Sequence, residues 1–98
     1  MNINIEKDNG RVILKIEGRL DTTSAPELEK AINNEGDSLK NLVLDFNCVD
    51  YISSAGLRVL LSAQKKMNVQ GHMELINVSE AVMDIFEMTG FADILEIK

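Results

Sequence analysis

No disulfide framework, basic cluster or long apolar run is available to this chain. Its 98 residues include a single cysteine, Cys48, so an internal disulfide is excluded. No apolar stretch approaches the ~20 residues that a membrane-spanning helix requires. The opening MNINIEKDNG alternates apolar and polar residues and lacks the basic-then-apolar order of a signal peptide. A cytoplasmic protein is therefore expected. Sixteen acidic residues outnumber ten basic ones, for a formal charge of −6. Binding to a phosphate backbone needs clustered lysine and arginine, and Lys65-Lys66 is the only adjacent basic pair. That pair is read as closing a helix, where cations complement the dipole, so no direct nucleic-acid contact is expected. A phosphate-cradling Gly-x-x-x-x-Gly-Lys loop is missing, and no His/Cys spacing suits a metal. The one histidine, His72, starts a strand at the edge away from the helix N-termini. That leaves Asp21 and Asp50 as the acidic groups able to approach a serine hydroxyl, and aspartates are ordinary in strand-to-helix loops. Neither catalysis nor a cofactor is expected, and no metal ligands are assigned.

What the chain does carry is a regular alternation of strand and helix signals, enough for one domain over residues 1–98. Ile3 and Ile5 alternate with polar neighbours, and Val12, Leu14 and Ile16 share one face after the turn Asp8-Asn9-Gly10. Those two segments predict a hairpin. Thr22 to Gly36 predicts a helix, with Ser24-x-x-Glu27 as capping box, Pro26 in the first turn and Gly36 at the C-cap. Leu42 to Phe46 reads as a strand buried on both faces. A helix then runs from about Ser54 to Asn68, with Leu57, Leu60 and Leu61 as its stripe. Met73 to Asn77 predicts a fourth strand. Ser79 caps a last helix, Val78 and Met83 are spaced as a hydrophobic staple, and Gly90 ends that helix. Ile94 to Lys98 is either a short strand or an extended cover. The methionines other than Met1 are read as core filler, with Met83 or Met88 as part of a contact surface. The order predicts an α/β fold: a mixed four- to five-stranded sheet with parallel β-α-β units and one antiparallel strand from the hairpin.

Function in open α/β sheets collects beyond the carboxyl ends of the parallel strands. Three strand-to-helix loops are expected there: Gly18 to Thr23, Asn47 to Ser54, and Asn77 to Ser79. Asp21, Thr22, Asp50, Ser53, Ser54, Asn77 and Ser79 thus become candidate neighbours. The densest signal is Leu44 to Leu61, LDFNCVDYISSAGLRVLL, which sets Ser53 and Ser54 at or beside the start of a helix. Unpaired backbone N–H groups and the helix dipole favour negative charge at that end. A structural role alone would suffice for a serine here, since an N-cap is worth about 1 kcal/mol over alanine. A phosphate would equally be welcome there. Gly56, inside the helix, costs roughly 1 kcal/mol against alanine. It is explained by close packing against the sheet, by a low surface that lets a partner reach Ser54, or by both.

The string Leu44-Asp45 through Val49-Asp50-Tyr51-Ile52-Ser53-Ser54-Ala55-Gly56-Leu57 closely resembles the signature of STAS domains, specifically of bacterial anti-sigma factor antagonists. Gly18-Arg19-Leu20-Asp21 and the pattern from Val82 to Gly90 match as well, so the resemblance covers nearly the whole chain. It implies a STAS-like fold that is monomeric when free. It also implies a protein that, unphosphorylated, binds an anti-sigma factor with serine kinase activity and so frees a sigma factor. Phosphorylation of a motif serine by that kinase ends the partnership, and a PP2C-type phosphatase restores it. By position the phosphoacceptor is Ser54, two residues before Gly56. Many members carry aspartate where this chain has Ser53. Asp21 matches a loop aspartate near the acceptor, and Thr22, Asp50, Ser53 and Gly56 complete the partner-binding patch that the resemblance and the loops suggest. Three other roles stay open on sequence grounds: a STAS subunit of a lipid-transport or stress-signalling assembly without this kinase cycle, a phosphocarrier, and a small serine hydrolase.

Overall fold

Alternation of apolar and polar residues builds the hairpin as expected. In a computed structural model describing residues 1–98, β1 (Asn2–Asp8) and β2 (Arg11–Leu20) pair antiparallel from Asn2↔Glu17 to Asp8↔Arg11. Asn9 and Gly10 both take positive φ, 50° and 81°, as a two-residue turn between right-twisted strands requires. The chain continues through α1 (Ala25–Asn33), β3 (Asn41–Ile52), α2 (Ser54–Gln70), β4 (His72–Ile76) and α3 (Glu80–Thr89), then a 3₁₀ turn at Phe91–Asp93. The four strands lie in the order β1-β2-β3-β4, with β2, β3 and β4 mutually parallel. This is a mixed four-stranded sheet with three helices.

Side-chain parity shows where the core lies. Val12, Leu14 and Ile16 of β2, Leu42, Leu44 and Phe46 of β3, and Met73 and Leu75 of β4 are all buried. They join Leu28 and Ile32 of α1, Leu57, Leu60 and Met67 of α2, and Val82 and Phe86 of α3 in one core. The alternate residues of these strands include Lys15, Asp45 and Glu74, and no helix covers them. The apolar run of β3 is nonetheless buried on both faces, as expected, with Asp45 the exception. Val43 is buried outside that core, while Asp45 is only half-buried.

The largest departure from the sequence reading is the length of β3. Residues 47–52, expected as loop, continue the strand. They break the alternation because β3 carries two extra residues relative to β2. Lys15↔Asp45 is followed by Glu17↔Cys48, and Gly18↔Val49 by Leu20↔Ile52. Each bulge resets the inward parity, which is why Phe46, Val49 and Ile52 are all buried at a spacing of three.

The helix ends differ in smaller ways. α1 starts at Ala25, not Thr22, and its C-cap is Asn34, with Gly36 in the turn beyond at φ 74°. The Ser24–Glu27 capping box does not form, because the Ser24 hydroxyl turns back to the carbonyl of Arg19, 2.5 Å away. Lys65-Lys66 lie a turn short of the end of α2, which runs on to Gln70. At α3 the expectations hold. Ser79 Oγ accepts from Val82 N at 3.2 Å, and Gly90 closes the helix at φ 83°. The tail adds one parallel bridge to β4, Leu75↔Ile97. No helix is long and apolar enough to cross a membrane.

Candidate functional site

Because β2 and β3 run on together past the end of β4, the carboxyl edge is stepped. The last β3–β4 pair is Asp45↔Ile76, whereas β2 and β3 stay paired up to Leu20↔Ile52. Counted along the unbulged β2, five further residues at ~3.3 Å each place the two levels up to ~17 Å apart. The loops leaving β2 and β3 therefore meet at the upper level, and Asn77 and Ser79 belong to the lower one. Asn77, at φ 57°, donates from Nδ2 to Asp45 Oδ1 at 3.1 Å, and Ser79 caps α3. The three-loop cluster read from the sequence is thus a two-loop cluster.

At the upper level one hydrogen bond joins the loops: Ser53 N donates to Leu20 O at 2.8 Å. Ser53, with φ −96° and ψ 175°, is the N-cap of α2, and its hydroxyl accepts from Gly56 N at 3.4 Å. Ser54 is consequently the first helical residue. It is exposed, and its hydroxyl makes no intramolecular hydrogen bond, whereas every other serine of a helix cap uses its own. The two adjacent serines divide the tasks, one capping and one facing outward.

Gly56 lies on the opposite side of that first turn, buried. A β-carbon there would stand 2.8 Å from Ile52 Cγ1, 2.8 Å from Leu20 Cγ and 3.0 Å from Leu20 O. Its role is the close packing of α2 on the ends of β2 and β3. Of the two explanations for this glycine, packing is the one the geometry carries. That packing also fixes where Ser54 stands at the start of the helix.

Asp21 organises the neighbouring loop. Its Oδ1 accepts from Thr23 N at 3.0 Å, Thr23 Oγ1 at 2.7 Å and Ser24 N at 3.1 Å. The Thr23 hydroxyl first, then the Ser24 amide, lower its pKa from 3.8 to about 2. The carboxylate is therefore a fixed negative charge. Its other oxygen is 4.0 Å from Arg19 Nε, and the Arg19 guanidinium lies 4.2 Å over the ring of Tyr51. Sequence reasoning missed this cation. The register places it, since Gly18↔Val49 and Leu20↔Ile52 bracket Arg19 opposite Asp50 and Tyr51. Asp50 and Thr22 are exposed, and Asp50 makes no ion pair. Below Ser54, a cleft of about 480 Å³ runs between α1 and α2. Thr22, Pro26 and Glu29 line one wall and Ala55, Arg58 and Ser62 the other.

A mixed four-stranded sheet with helices on one face and a serine pair opening the middle helix defines a known class. The STAS domain family model matches residues 2–98, and the chain belongs to that family. Within it, the chain is similar to the anti-sigma-B factor antagonist of Listeria monocytogenes. The two are 33% identical over 106 residues, spanning all of this chain and 90% of the relative. An anti-sigma factor antagonist from Mycobacterium paratuberculosis has a similar crystal structure, with TM-score 0.89 and 25% identity over 98% of this chain and 83% of that one. The anti-sigma factor antagonist SpoIIAA in its unphosphorylated form shares the fold, with TM-score 0.76 and 16% identity over 99% of this chain and 87% of that one.

Proposed function

We propose that this protein is an anti-sigma factor antagonist. It binds an anti-sigma factor that is also a serine kinase, and phosphorylation of Ser54 switches the binding off. On this reading it is a cytoplasmic binding protein rather than an enzyme, and a PP2C-type phosphatase resets it. The observation that carries the reading is the free Ser54 hydroxyl, exposed at the first residue of α2 while Ser53 does the capping. Similarity along the whole chain to anti-sigma-B factor antagonists supplies the class of partner.

The energetics suit a switch that spares the fold. A phosphate adds about −1.5 to −2 charges at neutral pH. Its attraction to the helix terminus is worth roughly 0.3–1 kcal/mol. Inside a close interface the same charge, facing a carboxylate or an apolar wall, costs several kcal/mol. Each 1.4 kcal/mol is about tenfold in affinity. Modification therefore ends binding without reshaping the protein. Asp21, already ionised, adds negative charge to the same level of the sheet.

A pull-down from the native cytoplasm, with intact-mass measurement of the bait, tests the reading. The expected catch is an ATP-binding anti-sigma factor on the unmodified protein only. With that kinase, Ser54→Ala should bind and take up no phosphate, and Ser54→Asp should bind at least tenfold more weakly. Stoichiometric phosphorylation of Ser54→Ala would assign the acceptor to Ser53. Equal binding by the parent and Ser54→Asp would end the switch proposal.

A further inference from the structure

We propose that His72, Glu74 and Glu96 form a binding site for a divalent transition-metal ion of the zinc type, one that clasps the C-terminal segment to the edge of the sheet. The three donors come together through the fold, far from Ser54. Met73 and Leu75 point into the core, so His72 and Glu74 share the opposite, helix-free face of β4. The tail is laid alongside by two backbone bonds, Leu75 N to Glu96 O and Lys98 N to Leu75 O, both 2.9 Å. Ile97, paired with Leu75, packs against the core, which turns Glu96 to the face of His72 and Glu74.

The ligand atoms of all three side chains lie within 4.8 Å of one another. A tetrahedral ion with arms of ~2.1 Å needs its ligands ~3.4 Å apart, so closure takes side-chain shifts of about an ångström. His72 Nε2 is 2.5 Å from Glu96 Oε2, yet that oxygen is shielded from solvent and accepts no aligned hydrogen bond. A cation seated between them would be shared by that oxygen and His72 Nε2 and would replace their direct contact. The nearest competing cation is Lys98 Nζ, 3.9 Å from the same oxygen.

One imidazole nitrogen and two carboxylates suit zinc, cobalt or nickel. Magnesium and calcium take oxygen ligands and would leave the imidazole unused. The ion would take the Nε2 lone pair of His72, leaving the ring proton on Nδ1. A water molecule would take the fourth position.

The test is calorimetric titration of the untagged chain with zinc chloride and with magnesium chloride. Parent, His72→Ala, Glu96→Gln and Cys48→Ser are compared, and far-UV circular dichroism checks that each is folded. One zinc per chain, no magnesium, at least a tenfold loss of affinity in His72→Ala and in Glu96→Gln, and parental affinity in Cys48→Ser support the site. Zinc should also slow hydrogen exchange of the Lys98 amide at least tenfold. No zinc binding, or binding that survives His72→Ala and disappears in Cys48→Ser, overturns it.

Discussion

Replacing Gly56 with alanine sets helix propensity against packing, and the structure says which prevails. Alanine is favoured over glycine within a helix by about 1 kcal/mol. Its methyl group would stand at 2.8 Å from Leu20 Cγ and from Ile52 Cγ1, and 3.0 Å from Leu20 O. The two carbons belong to side chains that can turn, although Leu20 and Ile52 are both buried. The carbonyl cannot yield so easily, because it accepts the Ser53 amide at 2.8 Å, the bond that joins the ends of β2 and β3. Forcing a methyl group into such a contact costs roughly 1–3 kcal/mol. The expected net is a destabilisation of about 1 kcal/mol. With a urea m-value of about 1–3 kcal/mol per M, the unfolding midpoint falls by roughly 0.3–1 M. Val69→Ala, at a 90% exposed site in the same helix, is the control and should hold or slightly raise stability. Hydrogen exchange at the Ser53 amide gives a second readout, since the helix can relieve the clash only by lifting away from Leu20. A Gly56→Ala protein as stable as its parent, with unchanged protection at Ser53, would refute the packing argument.

Three further outcomes follow from the same geometry. The folded-state pKa of Asp21, about 2, lies below its ordinary 3.8, so the ionised form favours folding above pH 3.8 and that contribution is lost as the pH falls through 2. Acid titration followed by carboxyl ¹³C NMR should find it near 2, and Asp21→Asn should flatten the stability profile between those limits; a measured value at 3.8 or above rejects the turn as described. Ser79→Ala, removing the 3.2 Å cap on Val82 N, should cost about 1 kcal/mol by denaturant melts, and an unchanged midpoint would mean the cap is idle. Phe86→Ala, fully buried with its ring centroid 6.4 Å from that of Phe46, should cost roughly 3–5 kcal/mol and detach α3, a result checked by thermal unfolding.

How much was legible beforehand depends on how local each signal is. The hairpin was written in Asn9-Gly10, the caps of α3 in Ser79 and Gly90, and the stripe of α2 in Leu57 and Leu60, because each is fixed by neighbours within a few residues. The stretch 47–52 was misread because a bulge shifts apolar spacing from two to three, and nothing in NCVDYI says that a partner strand will tolerate it. The capping box at Ser24 failed for a different reason. Asp21 offers an ionised acceptor three residues earlier and captures the Ser24 amide, leaving the hydroxyl to bond the Arg19 carbonyl. The meeting of His72, Glu74 and Glu96 was out of reach, since the third member is distant in sequence and arrives only through the bridge to Leu75.

The serine pair shows why local and global readings converge on one position. An N-cap must turn its side chain back onto the helix, so a hydroxyl used for capping is withdrawn from a partner. If Ser54 capped α2, attaching a phosphate would compete with the cap and link modification to stability. With Ser53 as N-cap, the Ser54 oxygen is free to change without loss of any intramolecular hydrogen bond. Aspartate, the residue many similar proteins are expected to carry at the position of Ser53, would cap equally well, so its replacement by serine preserves the turn. What the replacement removes is one negative charge beside the proposed phosphate. The fold therefore keeps its cap, while the acidic residues left at that level of the sheet are Asp21, held ionised by Thr23 and Ser24, and the exposed Asp50.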